Sequence, residues 1–260
     1  MRRWDLIEGD SLVELTKMER ASADAVICDP PYCSGGMVRG DRASAPLSKY
    51  VNGECAHRYQ EQDFTGDTRD QRSFTMWMAL ISAQIARVLA PGGFFGMFID
   101  WRNLPALTDA VQSGGLVWRG VMVWDKGEGV RPQAGRPRNQ AEYIVWGSNG
   151  PWRVWEGARV MPGVLRHSNV HSAHREHIAQ KPIPLMRQLV QMCPPGGLVL
   201  DPFAGSGATM IAALMEGRRA LGIELSPTWA AKARGAVALA CDHTPKGGDM
   251  LPFSGDVSNA

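Results

Sequence analysis

The sequence predicts an α/β fold, a mostly parallel sheet with helices on both faces. Short runs rich in β-branched and aromatic residues alternate along the 260 residues with amphipathic stretches of helical spacing. Alternation of that kind builds βαβ units, which bury a parallel sheet on both sides. A strand at Leu198–Leu200 also runs through a glycine-rich turn into a helix at Ala208–Met215, a junction found at the carboxyl ends of such strands. Hydrophobic residues make up 44% of the chain, ample for a core between the layers.

Asp5–Glu8 reads as a strand and Ser11–Arg20 as a helix capped by Asp10 or Ser11. Ala25–Asp29 is a small apolar strand ending in Asp-Pro-Pro-Tyr. Phe74–Leu89 has apolar residues at helical spacing and stops at Pro91-Gly92-Gly93, after which Phe94–Ile99 is a buried strand. A helix over about Leu104–Gln112 and strands at Leu116–Trp124 and Ala141–Trp146 follow. Ile183–Met192 is a helix, Leu198–Leu200 a strand, Ala208–Met215 a helix, Ala220–Glu224 a strand and Thr228–Ala240 a helix. Cys33–Ser73 and Gly147–Gln180 lack periodicity, and connections that long are usually functional. The expectation is one domain over 1–241 with substrate-gripping inserts at 33–73 and 127–175, followed by a mobile tail over 242–260 rich in Pro, Gly, Ser and Asn.

No run of about 18 apolar residues occurs, so no membrane span is expected. The basic start, Met1-Arg2-Arg3, has no apolar segment behind it and does not read as a signal peptide. Cys28, Cys33, Cys55, Cys193 and Cys241 are odd in number and form no Cys-x-x-Cys pair, which fits reduced cytoplasmic thiols. Net charge is only +2, but between Lys126 and Arg175 eight lysines and arginines face three acids. A basic patch on a nearly neutral chain is either a solvated loop or the footprint of a phosphate backbone.

In Leu198-Val-Leu-Asp201-Pro-Phe203-Ala204-Gly205-Ser206-Gly207-Ala-Thr209, Gly205 and Gly207 allow a sharp turn and close approach of a ligand. The amides opening the next helix then face an anion. Glu224 ends the following strand, 17 residues beyond Gly207, where a carboxylate can accept both hydroxyls of a ribose. The pattern suggests an adenosine-containing cofactor. Met210 stands where a dinucleotide fingerprint has its third glycine, which counts against a nicotinamide cofactor and an oxidoreductase. A glycine-rich turn without a ligand is the plain alternative.

Asp29-Pro30-Pro31-Tyr32 is a stiff exit from its strand, because two prolines can continue neither strand nor helix. Asp29 and the carbonyl of Pro30 can accept two N–H bonds from one flat amine, while Tyr32 offers a stacking face. An ordinary rigid Asp-Pro turn is the competing reading.

Together these residues resemble the β-class S-adenosylmethionine-dependent DNA amino-methyltransferases, over most of the chain. Asp29-Pro30-Pro31-Tyr32 is similar to their catalytic motif, and Asp201 to Gly207 to their cofactor motif. Gly217 to Glu224 resembles their ribose-binding strand, His177-Ile-Ala-Gln-Lys181-Pro182 the segment ahead of the cofactor strand, and Gly9-Asp10 the lead-in to the catalytic strand. The catalytic motif precedes the cofactor motif, which is that class's circularly permuted order. Glutamine and ribosomal RNA methyltransferases have the reverse order.

The resemblance implies a Rossmann-like methyltransferase fold, S-adenosylmethionine as cofactor and double-stranded DNA with its target base flipped out. It places Asp10 near the cofactor's adenine, Phe203 and Lys181 at its methionine end, and Ala204, Ser206, Thr209 and Glu224 around it. Asp at the first catalytic position leans towards adenine N6, since cytosine N4 enzymes more often carry Ser there. The N4 activity, an RNA amino-methyltransferase and a catalytically silent nucleic-acid-binding subunit remain alternatives. A bacterial or phage source also follows from the resemblance, which is consistent with restriction–modification but leaves open a restriction partner and a homodimer of the kind many relatives form.

DNA contacts are expected from Lys126, Arg131, Arg136, Arg138, Arg153, Arg159 and Arg166. Trp146, Trp152 and Trp155 lie among them, either as wedges or as core. His167, His171, His174 and His177 recur at spacings of four, three and three, but the irregular context favours phosphate contacts over a metal, and none is expected.

Overall fold

The computed structural model describes residues 3–34, 69–130, 134–168 and 181–243. In chain order the elements are β1 (Trp4–Glu8), α1 (Ser11–Lys17), β2 (Ala23–Cys28), α2 (Gln71–Val88), β3 (Leu89–Ile99), α3 (Leu104–Ser113) and β4 (Val117–Asp125). They continue with β5 (Ala141–Ser148), β6 (Val164–Arg166), α4 (Ile183–Val190), β7 (Leu198–Asp201), α5 (Ala208–Met215), β8 (Arg219–Glu224) and α6 (Pro227–His243). One eight-stranded sheet runs β1-β8-β7-β2-β3-β5-β4-β6. The block from β1 to β3 is parallel throughout. β5 runs against both its neighbours, β3 and β4. β6 lies parallel to β4.

Alternation along the strands sorts side chains into two cores. Ala25 and Ile27 of β2, Phe94 and Phe98 of β3, and Leu185, Met210 and Val237 of α4, α5 and α6 share one. Val26 and Cys28, Phe95, Met97 and Ile99, with Leu15, Ile81 and Leu107 of α1, α2 and α3, share the other. Helices therefore cover both faces, and the period-two pattern of β3 is what divides them.

Most elements lie within a few residues of their expected bounds, and the differences have physical causes. α1 ends at Lys17 rather than Arg20, because Arg87 of α2 donates to the carbonyls of Leu15 and Met18 and closes the helix there. α2 begins at Gln71, inside the expected 33–73 loop, with Asp70 accepting from the Ser73 amide at 2.8 Å. Pro91-Gly92-Gly93 does not separate helix from strand. β3 starts at Leu89, and the ladder to β2 slips so that Leu89 faces Ala23 while Phe94 faces Ala25. Pro91 has no N–H to give such a ladder, and Gly92 takes φ +75°. β6 is too short to show a period and was not foreseen.

Within the 127–175 region the strand expected at Ala141–Trp146 is present as β5. β5 lies in the middle of the sheet, leaving the segments 127–140 and 149–163 on either side of it. β2, β3, β4, β7 and β8 all end on one edge, so 127–140 overhangs that edge, while 149–163 leaves from the opposite one. α6 runs to His243, two residues past the expected domain end at 241. Among the described residues no helix is long and apolar enough to cross a membrane.

Gly147 of β5 is held between its neighbours: a Cβ there would lie 1.9 Å from the Val117 carbonyl oxygen and 2.7 Å from the Phe95 ring. Gly147→Ala should therefore cost stability by about 3 kcal/mol or more, at the upper end for overpacking. Urea unfolding monitored by tryptophan fluorescence checks this; a midpoint unchanged from wild type would contradict the tight packing of β5.

Candidate active site

β2 and β7 lie side by side in register, Ala25 opposite Val199 and Val26 opposite Leu200. Their carboxyl ends release the 29–32 loop and the 202–207 turn from adjacent strands. β7 leads outward to β8 and β1, whereas β2 leads the other way to β3, so the winding reverses between them. Open sheets of this kind bind ligands at that point.

On the turn, Gly205 and Gly207 have φ of +51° and +84°. A Cβ on Gly205 would meet nothing nearer than 3.9 Å, which leaves an open cradle, whereas one on Gly207 would lie 2.9 Å from Val237 of α6. Glu224 braces the turn, accepting from the Gly205 amide at 2.8 Å and from the Ser226 amide at 2.9 Å. Asp201 is buried and accepts from the Phe203 amide at 2.9 Å and from the Thr209 hydroxyl. Burial pushes its carboxyl up to about 7, with the two hydrogen bonds pulling the other way. Ala204 is buried, its amide on the Ile223 carbonyl, while Ser206 is partly open. Phe203 meets the edge of Trp77 from α2 at 5.6 Å between ring centres. Asp10, at the end of β1, caps α1 through Leu12 and keeps an exposed position on the same edge. An open glycine cradle rimmed by Glu224 and Asp10 fits a nucleoside-bearing cofactor.

The 29–32 loop is held differently. Lys181 Nζ lies 2.5 Å from Asp29 Oδ2 and 3.5 Å from Glu142 Oε2. Lys126 Nζ is 3.1 Å from Glu142 Oε1. The Tyr32 phenol donates to Glu142 Oε2 at 2.9 Å, and Asn103 Nδ2 donates to the Tyr32 carbonyl at 2.7 Å. The other oxygen of Asp29, Oδ1, is buried and has no hydrogen-bond partner among the described residues.

Burial raises the Asp29 carboxyl, against the pull of Lys181 and with the push of Glu142. Burial would also raise Glu142, but Lys181 and Lys126 outweigh it and hold that carboxyl below its usual range. Lys181 keeps its proton: burial opposes the charge, yet Asp29 and Glu142 hold its pKa above the ordinary value. Burial raises the Tyr32 phenol, and the carboxylates of Asp29 and Glu142 add to the rise.

The structure brings Asp29, Pro30, Pro31 and Tyr32 to one edge with the turn, and adds Glu142, which the sequence reading passed over. Its signal was faint, a single acid at the start of a central strand. Lys181, expected beside the cofactor's methionine end, has its ammonium on Asp29. Lys126, expected on DNA, is 9% exposed and paired with Glu142. Arg136 and Arg138 are exposed on the 127–140 segment, and Arg166 is exposed at the end of β6, all on the edge that carries Asp29. Arg153 packs by Gly92 near the start of β3, at the opposite edge, and is not brought to the site. Arg159 is exposed on 149–163. Trp146 stacks on Phe94, and Trp152 meets both rings edge-on, towards that far edge, which is packing. Trp155 is half-buried. His167 lies 3.0 Å from Gln188. Arg131, Arg175, His171, His174, His177 and Cys55 lie outside the described residues. Trp101 and Arg102, also missed, follow β3 onto the edge that carries Asp29, with Trp101 53% exposed and the guanidinium 4.9 Å from its ring.

A family model described as DNA methylase (N6 and N4) matches residues 23–157 and 150–234. YhdJ, named a DNA adenine methyltransferase, from Escherichia coli (strain K12), is 23% identical, with 85% of this chain and 78% of that protein aligned. Among solved structures, TTHA0409 of Thermus thermophilus complexed with S-adenosyl-L-methionine superposes with a TM-score of 0.63 at 22% identity, covering 92% of this chain and 96% of that one. The cytosine-N4-specific PvuII DNA methyltransferase superposes with a TM-score of 0.68 at 17% identity, covering 93% and 92%.

Asp201 gives a pH test of the turn. An acid whose folded pKa is raised binds more protons folded than unfolded, so its contribution to stability falls as pH rises from the unfolded value near 4 towards about 7. Replacing it with the neutral, similarly shaped Asn should flatten unfolding free energy between pH 5 and pH 7.5. Urea titrations at both pH values test this, and an Asp201→Asn protein with an unaltered pH dependence would contradict the buried carboxyl.

Proposed function

The chain belongs to the N6/N4 DNA methylase family, and from that premise we propose that it transfers a methyl group from S-adenosylmethionine to the exocyclic N6 of an adenine flipped out of duplex DNA. The observation that carries this reading is Asp29 Oδ1, buried and without a hydrogen-bond partner among the described residues, on a loop that leaves β2 beside the strand carrying the open Gly205 cradle. S-adenosylmethionine supplies a methyl group on a cationic sulfur. Asp10 and Glu224 suit its nucleoside, the Gly205 and Ser206 backbone its close approach, and Phe203 its methionine end, with Ala204, Gly207, Asp201 and Thr209 shaping the turn.

An exocyclic base amine is a poor nucleophile, because its lone pair is delocalised into the ring. Asp29 Oδ1 and the Pro30 carbonyl accept its two N–H bonds, which favours a pyramidal nitrogen with its lone pair available. Tyr32 stacks on the base, and Pro31 keeps the loop from giving way. The work of the protein is in-line placement and charge compensation rather than strong base chemistry. A base within a duplex cannot reach this edge, so the target nucleotide rotates out.

Asp29 supports N6 over N4, as does the likeness to YhdJ; the PvuII enzyme's likeness is the support for cytosine N4. Nucleoside analysis of DNA methylated by the protein separates the two, N6-methyladenine being expected. Duplex DNA lies across the catalytic edge, contacted by Arg136, Arg138 and Arg166, with Trp101 and Arg102 beside the acceptor loop.

Asp29→Ala should lower turnover by about a hundred- to a thousandfold, as loss of a group acting in the transition state does, while calorimetry shows cofactor affinity little changed. Phe203→Ala and Gly205→Asp should instead weaken cofactor binding first. Methyl transfer surviving in Asp29→Ala contradicts the assignment. Arg166→Ala should reduce the slope of log affinity against log salt by about 1, as expected for one phosphate contact. Arg153→Ala should leave that slope unchanged, and the opposite pattern would overturn the placement of DNA.

A further inference from the structure

Lys126, Glu142, Lys181 and Asp29 form a buried row of alternating charge that ends at the acceptor loop. Lys126 follows β4, Glu142 opens β5, Lys181 precedes α4 and Asp29 follows β2, so four separate parts of the chain supply it. Lys126 Nζ stands 3.1 Å from Glu142 Oε1, Lys181 Nζ 3.5 Å from Glu142 Oε2 and 2.5 Å from Asp29 Oδ2. The lysine side chains are 10% and 8% exposed and the carboxylates 18% and 20%. The Glu142 oxygen that faces Lys181 also accepts the Tyr32 phenol, at 2.9 Å. The Lys181 ammonium further lies 5.0 to 5.8 Å from the ring centres of Tyr32, Phe98 and Trp124, which wall it in.

We propose that Lys126, Glu142 and Lys181 are positioning residues for methyl transfer, locking Asp29 and Tyr32 into one rigid acceptor clamp, and that Lys126 serves this row rather than the DNA backbone. The inference rests on the methyltransferase reading of the same site. Lys181 occupies one oxygen of Asp29, which fixes the direction of the other. Glu142 fixes the plane of the Tyr32 ring through its phenol. Lys126 balances Glu142, which otherwise faces one cation with two demands on it. Desolvated charges in such a row depend on their neighbours, so neutralising one leaves the next uncompensated.

The row also sets where Asp29 titrates. The groups around Asp29 are Lys181, Glu142 and Tyr32, with Cys28 and Asp201 behind them on β2 and β7. Lys181 lowers the carboxyl's pKa and Glu142 raises it. Lys181→Gln should therefore move the acid limb of the methyl-transfer rate to higher pH, and Glu142→Gln should move it to lower pH.

Single-turnover methyl transfer to duplex DNA, measured across pH with the full chain and S-adenosylmethionine, tests the clamp. Lys126→Gln, Glu142→Gln and Lys181→Gln should each slow the rate constant roughly tenfold or more, the range for residues that support a catalytic group, with KM for DNA and its salt dependence unchanged. Lys181→Arg should recover part of the rate. Tyr32→Phe, which removes only the phenol and keeps the packed ring, should slow the rate without changing KM, and it covers the case in which a charge variant fails to fold. Acid limbs that stay in place in both Gln variants at 181 and 142 overturn the proposal. So does a Lys126→Gln enzyme with normal rate constant, raised KM and a salt slope lower by about 1, the mark of a phosphate contact. Absence of methyl transfer by the wild-type protein would instead defeat the methyltransferase reading itself, which keeps the two failures apart.

Discussion

Parallel pairing of β2 with β7 is the constraint from which the rest of the site follows. The two strands lie some 170 residues apart in sequence, yet Ala25 sits opposite Val199 and Val26 opposite Leu200. A slip of one residue would turn Val26 and Leu200 from one core to the other, where Ala25 and Val199 belong. Register is therefore held by both hydrophobic layers at once. Because the strands are parallel, their carboxyl ends emerge together, and Asp29 and the glycine turn face one edge whatever the intervening chain does. The order of the two motifs along the sequence then matters little to the chemistry, since the sheet supplies the proximity that sequence distance seems to deny.

Two different kinds of carboxylate share that edge. Glu224 and Asp201 spend their oxygens on backbone amides and a hydroxyl, so they shape the turn. Asp29 spends one oxygen on Lys181 and has its other buried without a partner among the described residues. An unpaired buried acceptor costs on the order of 1–3 kcal/mol, a cost tolerated most readily where a ligand satisfies it. The 29–32 loop is correspondingly braced from outside itself: Asn103 holds the Tyr32 carbonyl, and Glu142 holds its phenol.

Fold class and the two motifs were legible in the sequence because each is local. A glycine turn needs residues that tolerate positive φ, and Gly205 and Gly207 supply them within three positions. Asp29-Pro30-Pro31-Tyr32 declares its stiffness through two adjacent prolines. Glu142 was not legible, since its meaning comes from Lys126, Lys181 and Tyr32, which no spacing connects to it. The pairing of Lys126 was hidden for the same reason: counted among nearby arginines it belongs to a basic patch, but in the fold it is buried against Glu142. Arg153 and Trp152 fall in the basic stretch by sequence and on the far edge by topology, because β5 crosses the sheet between them and Asp29. The antiparallel placing of β5 was itself invisible, for its apolar run reads the same in either direction.

The central claim is spatial, namely that donor and acceptor meet over the β2–β7 edge. A crystal structure of the protein with the non-reactive cofactor analogue sinefungin and a duplex containing the target base measures this directly. The account predicts an extrahelical base stacked on Tyr32, its exocyclic nitrogen within about 3 Å of Asp29 Oδ1 and in line with the analogue's amine, which takes the place of the transferable methyl group. An analogue bound away from residues 203–207, or a base whose amine lies beyond hydrogen-bond reach of Asp29, would contradict it.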